Sequence, residues 1–343
     1  MKGDKGKISD LAVRLAEFIR LTSSSLPEDA ERALKRALRR EKKTASPAAT
    51  VLETILANVA LARKNGTPVC QDTGTLTFFV DESLRKKVTP QILGQAVQLA
   101  TEKGWLRRNT IDAISGKSID TNVCPGAPVV HYVESRSTID SQSTEILAMV
   151  GDSRDARCSR SSRVASLSDA ASPSRTSSTS RKSSQPFAHE IARGSSPIAL
   201  LMKGGGSENM SCQFSLPDAA LGAGRDLEGV RRAVLAAVQK AQGFGCAPGI
   251  LGVCIGGDRA SGFEEAKLQL LRNLDDTNAN PCLARLERRI LREANTLGIG
   301  PMGLGGKTTL LAVKIGSRPR VPASFFVTVA YLCWAARRRT LTL

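Results

Sequence analysis

Cys246-Ala247-Pro248-Gly249-Ile250-Leu251-Gly252-Val253-Cys254-Ile255-Gly256-Gly257 is the stretch on which the reading of this chain turns. Its centre, Ile250 to Ile255, is short, apolar and partly β-branched, and it is bounded by proline and glycine, as a buried strand is. The same pattern recurs outward at Leu76 to Val80, Pro128 to Val133, Leu310 to Ile315 and Phe325 to Leu332. Helical spacing fills much of the rest. Val51, Leu52, Ile55, Leu56 and Val59 follow a Ser46 cap with Pro47 at the first helical position, and Gly66 supplies a left-handed stop. Helices are also expected at 227–241, with Leu227, Val230, Val234, Leu235 and Val238 on one face, and at 283–297, ending at Gly298. The first 66 residues read as helical. The fold class is therefore α+β: a mixed sheet flanked by helices, with a helical N-terminal region.

At 343 residues the chain can bury a substantial core, and 41% hydrophobic with 24% charged residues excludes a wholly disordered chain or a membrane bundle. No run reaches the roughly 18 apolar residues of a spanning helix. Met1 to Lys7 is charged and lacks the apolar stretch of a secretory signal, so an intracellular, cytoplasmic protein is expected. The net charge of +17 is scattered, and aromatics are only 4%, so no stacking platform for nucleic acid is expected. One segment is out of character: Gly151 to Pro186 holds 13 serines and 6 arginines in 36 residues. Such composition cannot offset the entropy of ordering, so 135–197 reads as a disordered, low-complexity insertion. It divides a single catalytic domain made of 1–134 and 198–343, and the strand-like runs on either side of it are expected to be neighbours in space.

Eight cysteines, at 70, 124, 158, 212, 246, 254, 282 and 333, form no C-x-x-C pair, which argues against a zinc knuckle or a redox motif. Cys254 sits mid-strand, as a core thiol does. Cys70 and Cys246 instead stand just before strands, and Cys333 just after one, among glycine and polar residues. Thiolates at strand ends can converge on one point, and three soft ligands suit an iron–sulfur cluster with one iron left open as a Lewis acid. Three unrelated buried thiols are the competing reading. The glycine loops at 203–209 and 303–309 can bring backbone N–H groups to an anion such as a carboxylate, or can be simple tight turns. The second resembles a phosphate loop, but Pro301 stands where its first glycine belongs and no strand-to-helix context surrounds it, so an NTPase is rejected. His131 reads as a strand core residue, and His189 lies in the insertion.

Taken together, VCQDTG at 69–74, KGGGSEN at 203–209, CAPGILGVCIGG at 246–257 and LGIGPMGLGGKTT at 297–309, which leads into PASFFVTVAYLCWAARR, resemble the class I (iron–sulfur) fumarate hydratases. The resemblance is to the α-subunit of the two-subunit form, related to L-tartrate dehydratase. It implies that Cys70, Cys246 and Cys333 ligate a [4Fe–4S] cluster and that Asp72 is an acid/base group near the open iron. It further implies that Gln71, Arg107 and Gly206 bind the carboxylates of a dicarboxylate substrate. The implied activity is a hydro-lyase interconverting fumarate and L-malate, in an oligomer whose β-subunit completes the site. The alternatives are a tartrate or other hydroxydicarboxylate dehydratase, or a basic structural or RNA-associated subunit that has lost the chemistry. Two positions depart from the family pattern: Ser118-Ile119-Asp120 replaces Asn-Thr-Gly or Asn-Ser-Gly, and Val321 replaces a histidine.

Overall fold

The apolar periodicity of the N-terminal region folds as three helices: α1 (Asp10–Ser24), α2 (Glu28–Glu41) and α3 (Ala48–Asn65). The structure, a computed structural model, describes residues 8–43, 47–134 and 197–343. Ser46 lies outside the described residues, and Pro47 takes the position before the helix rather than its first turn, because α3 begins at Ala48. Gly66 ends α3 at φ 64, the left-handed stop expected of it. The chain continues through β1 (Thr75–Asp81), α4 (Pro90–Glu102), β2 (Val129–Val133), β3 (Pro197–Lys203) and the one-turn α5 (Gly205–Asn209). It then forms β4 (Cys212–Ser215), α6 (Leu227–Ala241), β5 (Gly249–Gly256), α7 (Arg259–Gln269), α8 (Pro281–Ala294), β6 (Leu310–Arg318), β7 (Phe326–Leu332) and β8 (Arg337–Thr342). α8 starts at an Asn280 cap and stops at Ala294, three residues before the expected end.

The strands form two mixed sheets where one was expected. Their orders are β2-β1-β3-β8 and β4-β7-β5-β6. β1 runs parallel to β2 and antiparallel to β3, and β5 runs parallel to β6 and antiparallel to β7. β2 and β3, the strands on either side of residues 135–196, share a sheet but are not paired, because β1 lies between them.

Period-two alternation explains the layering. On β3, Ile198, Leu200 and Met202 pack with Leu15 and Ile19 of α1 and Leu93 and Val97 of α4. Ala199 and Leu201, on the opposite face, join Ile250 and Cys254 of β5, Ala330 and Leu332 of β7, and the apolar stripes of α2 and α3 in a central core. The outer face of the second sheet, with Leu251, Val253, Val327, Val329 and Tyr331, is covered by α6 and α8. The inner strands β1, β3, β5 and β7 are thus buried on two faces and read as nearly continuous apolar runs. Among the described residues no helix is long and apolar enough to cross a membrane.

Candidate active site and metal centre

Three turns at the ends of strands meet in the candidate site. The first carries Cys70, Gln71 and Asp72 into β1, and it is pinned by Val69, whose N–H donates to Ser23 O at 2.9 Å and whose carbonyl accepts from Asn58 Nδ2 at 2.9 Å. The second carries Cys246 into β5 at φ 55, a left-handed conformation that a side-chain-bearing residue rarely adopts and that clusters at functional sites. The third follows β7 with Cys333 and Trp334, and Trp334 N–H donates to Cys246 O at 3.2 Å, which joins the second and third turns directly. Cys333 is buried, and Cys70 and Cys246 are half-buried. Burial pushes the Cys246 thiol up, and the charges that reach it and push it further are those of Cys333, Cys70 and Asp72. Cys333, Cys70 and Asp72 are thus each within electrostatic reach of Cys246.

Asp72 is held from three sides. Its Oδ2 accepts from Gly205 N–H at 2.7 Å, its Oδ1 from Asn109 Nδ2 at 3.2 Å, and its carbonyl from Arg337 Nη1 at 2.7 Å. Close approach of the glycine loop makes this possible. A Cβ on Gly74 would lie 2.4 Å from Lys203 O, and one on Gly204 would lie 2.8 Å from Asp72 Oδ2. Both glycine loops do bind carboxylates, but the carboxylates are the protein's own. The loop at 203–209 takes Asp72, and in the loop at 303–309 the Lys307 N–H donates to buried Glu41 at 2.8 Å. The second loop therefore ties α2 to the approach to β6.

Beside Asp72 opens a cavity of about 390 Å³ lined by Asn109, Ile111, Asn122, Gly126 and Gly205, among others. Arg107 stands on its wall-forming segment. Its backbone is fixed by Thr73 Oγ1 and by Asn122 Nδ2, which donates to the Arg107 carbonyl at 2.7 Å. Its exposed guanidinium has no acidic partner among the described residues. Gln71 is also exposed, and Gly206 lies with its ideal Cβ position 3.6 Å from Phe244 O. Ser118-Ile119-Asp120 pairs with Thr110 and Ile111, so this departure from the pattern borders the cavity wall. Val321 is exposed and precedes β7, at the opposite end of that strand from Cys333. His131 lies in β2, half-buried rather than in the core, stacked on Phe79 at 5.2 Å and with Nδ1 3.5 Å from Glu264 Oε1.

The donor set fits an iron–sulfur cluster: three thiols on three separate turns, each among polar or glycine residues, with the seven described cysteines all free. Among the described residues no three His, Cys, Asp or Glu side chains are grouped to hold a single ion, which a cluster with thiolates on separate irons does not require. Sequence reading missed Asn109 and Arg337, which hold Asp72, and Ser207, whose Oγ accepts from Cys333 N–H at 3.1 Å. Asn109 stands two residues after Arg107 in the same segment, and Ser207 lies inside the quoted glycine block. Arg337 stands near the end of the quoted block that holds Cys333, but nothing in that block points to a partner 265 residues away.

A family model described as fumarate hydratase (Fumerase) matches residues 13–152 and 160–342. The chain is 38% identical over 322 residues to "Putative fumarate hydratase class I" of Geobacillus stearothermophilus, a match that covers 92% of this chain and 52% of that relative. It thus spans about half the length of that protein. It is 29% identical to "Putative L(+)-tartrate dehydratase subunit alpha" of Methanocaldococcus jannaschii, covering 97% of this chain and 96% of the relative. To the L(+)-tartrate dehydratase subunit alpha of Escherichia coli K12 it is 26% identical, covering 97% of this chain and 91% of the relative.

Proposed function

Because the chain belongs to the fumarate hydratase (Fumerase) family, we propose that it is the α-type half of an iron–sulfur hydro-lyase that interconverts fumarate and L-malate. The observation that supports this reading is that one glycine loop meets both Asp72 and Cys333 while the Cys333 turn is bonded to Cys246, beside a cavity that Asp72 lines. Cys70, Cys246 and Cys333 would hold a [4Fe–4S] cluster, which supplies a Lewis-acidic iron at the position without a protein sulfur. Asp72, oriented by Gly205 and Asn109, moves the proton at the hydroxyl that leaves the substrate. Arg107 forks onto one substrate carboxylate with two parallel bonds, and Gln71 and the Gly206 amide take up the other. A β-type partner, or a second half such as the longer Geobacillus relative has room for, completes the site and supplies the base for the carbon-bound proton. The cytoplasm is the expected setting, in keeping with seven described cysteines left as free thiols.

Near full-length matches to two tartrate dehydratase α-subunits favour a second reading, the dehydration of tartrate by the same centre. The test is anaerobic purification with and without the partner half, followed by iron and sulfide assay and by hydration and dehydration assays on both substrates. Cys70→Ser, Cys246→Ser and Cys333→Ser should each abolish the cluster, whereas Cys282→Ser should not. Full iron content in any of the first three variants overturns the ligand set, and robust turnover without the partner overturns the division of the site.

A further inference from the structure

The glycine loop that meets Asp72 and Cys333 is intrinsically weak. α5 has five residues and opens on Gly205 and Gly206, too short to hold itself and costly in backbone entropy. What lies beneath it is a buried ammonium. The Lys203 side chain is 1% exposed, and its Nζ donates to Glu208 Oε2 at 2.8 Å and to Ser211 Oγ at 3.0 Å. Glu208 reaches a second cation with its other oxygen, 2.8 Å from Lys267 Nζ. Ser211 Oγ in turn donates to Ser207 O at 3.1 Å and accepts from Tyr331 N–H at 3.1 Å. Glu208 and Ser211 bracket the C-terminal end of α5, so one ammonium clamps that end while the other end presents Gly205 to Asp72 and Ser207 to Cys333.

We propose that Lys203 is the positioning residue of this site: its ammonium sets the glycine loop, and through the loop fixes both the Asp72 carboxylate and the Cys333 backbone. The significance of those two residues rests on the function proposed above; the mechanical linkage does not. Burial pulls the Lys203 ammonium down to about 8 even with Glu208 acting against the shift, so the charge is kept there at a cost. Removing Lys203 does not strand a buried charge, because Glu208 keeps Lys267 at 2.8 Å and a side chain 31% exposed, so what the pair imposes is chiefly a fixed geometry. The neighbouring β3 residues Leu201 and Met202 show that an apolar side chain would be accommodated on this strand.

The experiment uses the full chain with its partner half and compares wild type, Lys203→Met, Lys203→Arg, Glu208→Gln and Ser211→Ala. Amide hydrogen exchange is followed by mass spectrometry over 203–211 and 331–335, beside thermal unfolding, iron content and KM. Lys203→Met is expected to keep its melting temperature at pH 7, to exchange at least 10-fold faster over both segments, and to raise KM about 10-fold. Lys203→Arg should recover part of the protection. Unchanged exchange in Lys203→Met overturns the proposal; where that variant does not fold, unchanged exchange in both Glu208→Gln and Ser211→Ala overturns it. A wild type that binds no iron defeats the proposed function and leaves the exchange result standing, so the two failures are separable.

Discussion

Gly74→Ala tests the close approach on which the candidate site is built. Gly74 has φ +74, and a Cβ there would lie 2.4 Å from Lys203 O, 2.5 Å from Lys203 C and 2.7 Å from Gly204 N. All three atoms are backbone, so no flexible side-chain end can swing away. The left-handed conformation costs an alanine about 1–2 kcal/mol, and forcing the strands apart adds about 1–3 kcal/mol. Together these give a loss of about 2–5 kcal/mol, or roughly 4–10 °C in melting temperature at about 2 °C per kcal/mol for a large domain. Gly104→Ala is the matched control, since Gly104 has φ +72 with nothing within 4 Å of its would-be Cβ. It should lose only the conformational part, about 1–2 kcal/mol. The assay is thermal unfolding by circular dichroism with urea titration of the same samples. If Gly74→Ala is no more destabilised than Gly104→Ala, the contact between the start of β1 and the end of β3 is not as tight as described, and the placement of the Gly205 amide on Asp72 fails with it.

Arg338→Met should cost about 3–5 kcal/mol by urea unfolding at pH 7, because it strands the buried Asp29 carboxylate that Arg338 and the Leu274 N–H satisfy. A loss under about 1 kcal/mol would contradict that account. Burial works against ionised Asp29, but the Arg338 charge wins and holds its carboxyl below the ordinary range. The pair thus contributes above the carboxyl's unfolded value and is lost as pH falls, so the mutational penalty should shrink in acid. Glu228, bonded to Arg231 and flanked by Arg289 and Arg232, is held down to about 2 from 4.5. Its stabilisation is present above pH 4.5 and fades as pH falls from 4.5 toward 2, so the melting curves of wild type and Glu228→Gln should differ at pH 7 and converge near pH 2; a constant offset across that window refutes the assignment.

The parts of the fold legible in the sequence were those with a local period. Leu227–Ala241 is the helix its apolar spacing predicts, and β5 and β7 lie where their apolar runs place them. β8 was not legible: Arg337, Arg338 and Arg339 carry no strand signal. They are accommodated because β3 supplies the ladder and Asp72 O, Asp29 and Ser25 accept from their guanidiniums. The edge strand β4 has four residues, too few for a period to show. The same division holds in the site. Cys70, Asp72, Cys246 and Cys333 sit in quotable blocks, whereas the roles of Asn109 and Arg337 exist only once distant segments have paired. Two sheets instead of one also follows from pairing rather than from composition, since each strand alone looks the same.

The register of the first sheet has a consequence for how freely the chain can vary. Val133 at the end of β2 pairs with Asp81, and Ile198 at the start of β3 pairs with Val80, so both strands meet residues 135–196 at the same end of β1. Two strand spacings separate these anchor points, about 10 Å, a gap that about three or four extended residues can bridge. Asp72 and Gly204 lie at the other end of β1, six or seven residues away along the strand, about 20 Å. The sheet therefore acts as a spacer: it sets a minimum length for the connection and no maximum, since each doubling adds only about 0.6 kcal/mol of closure entropy. The register thus puts the connection at one end of β1 and the Asp72 turn at the other.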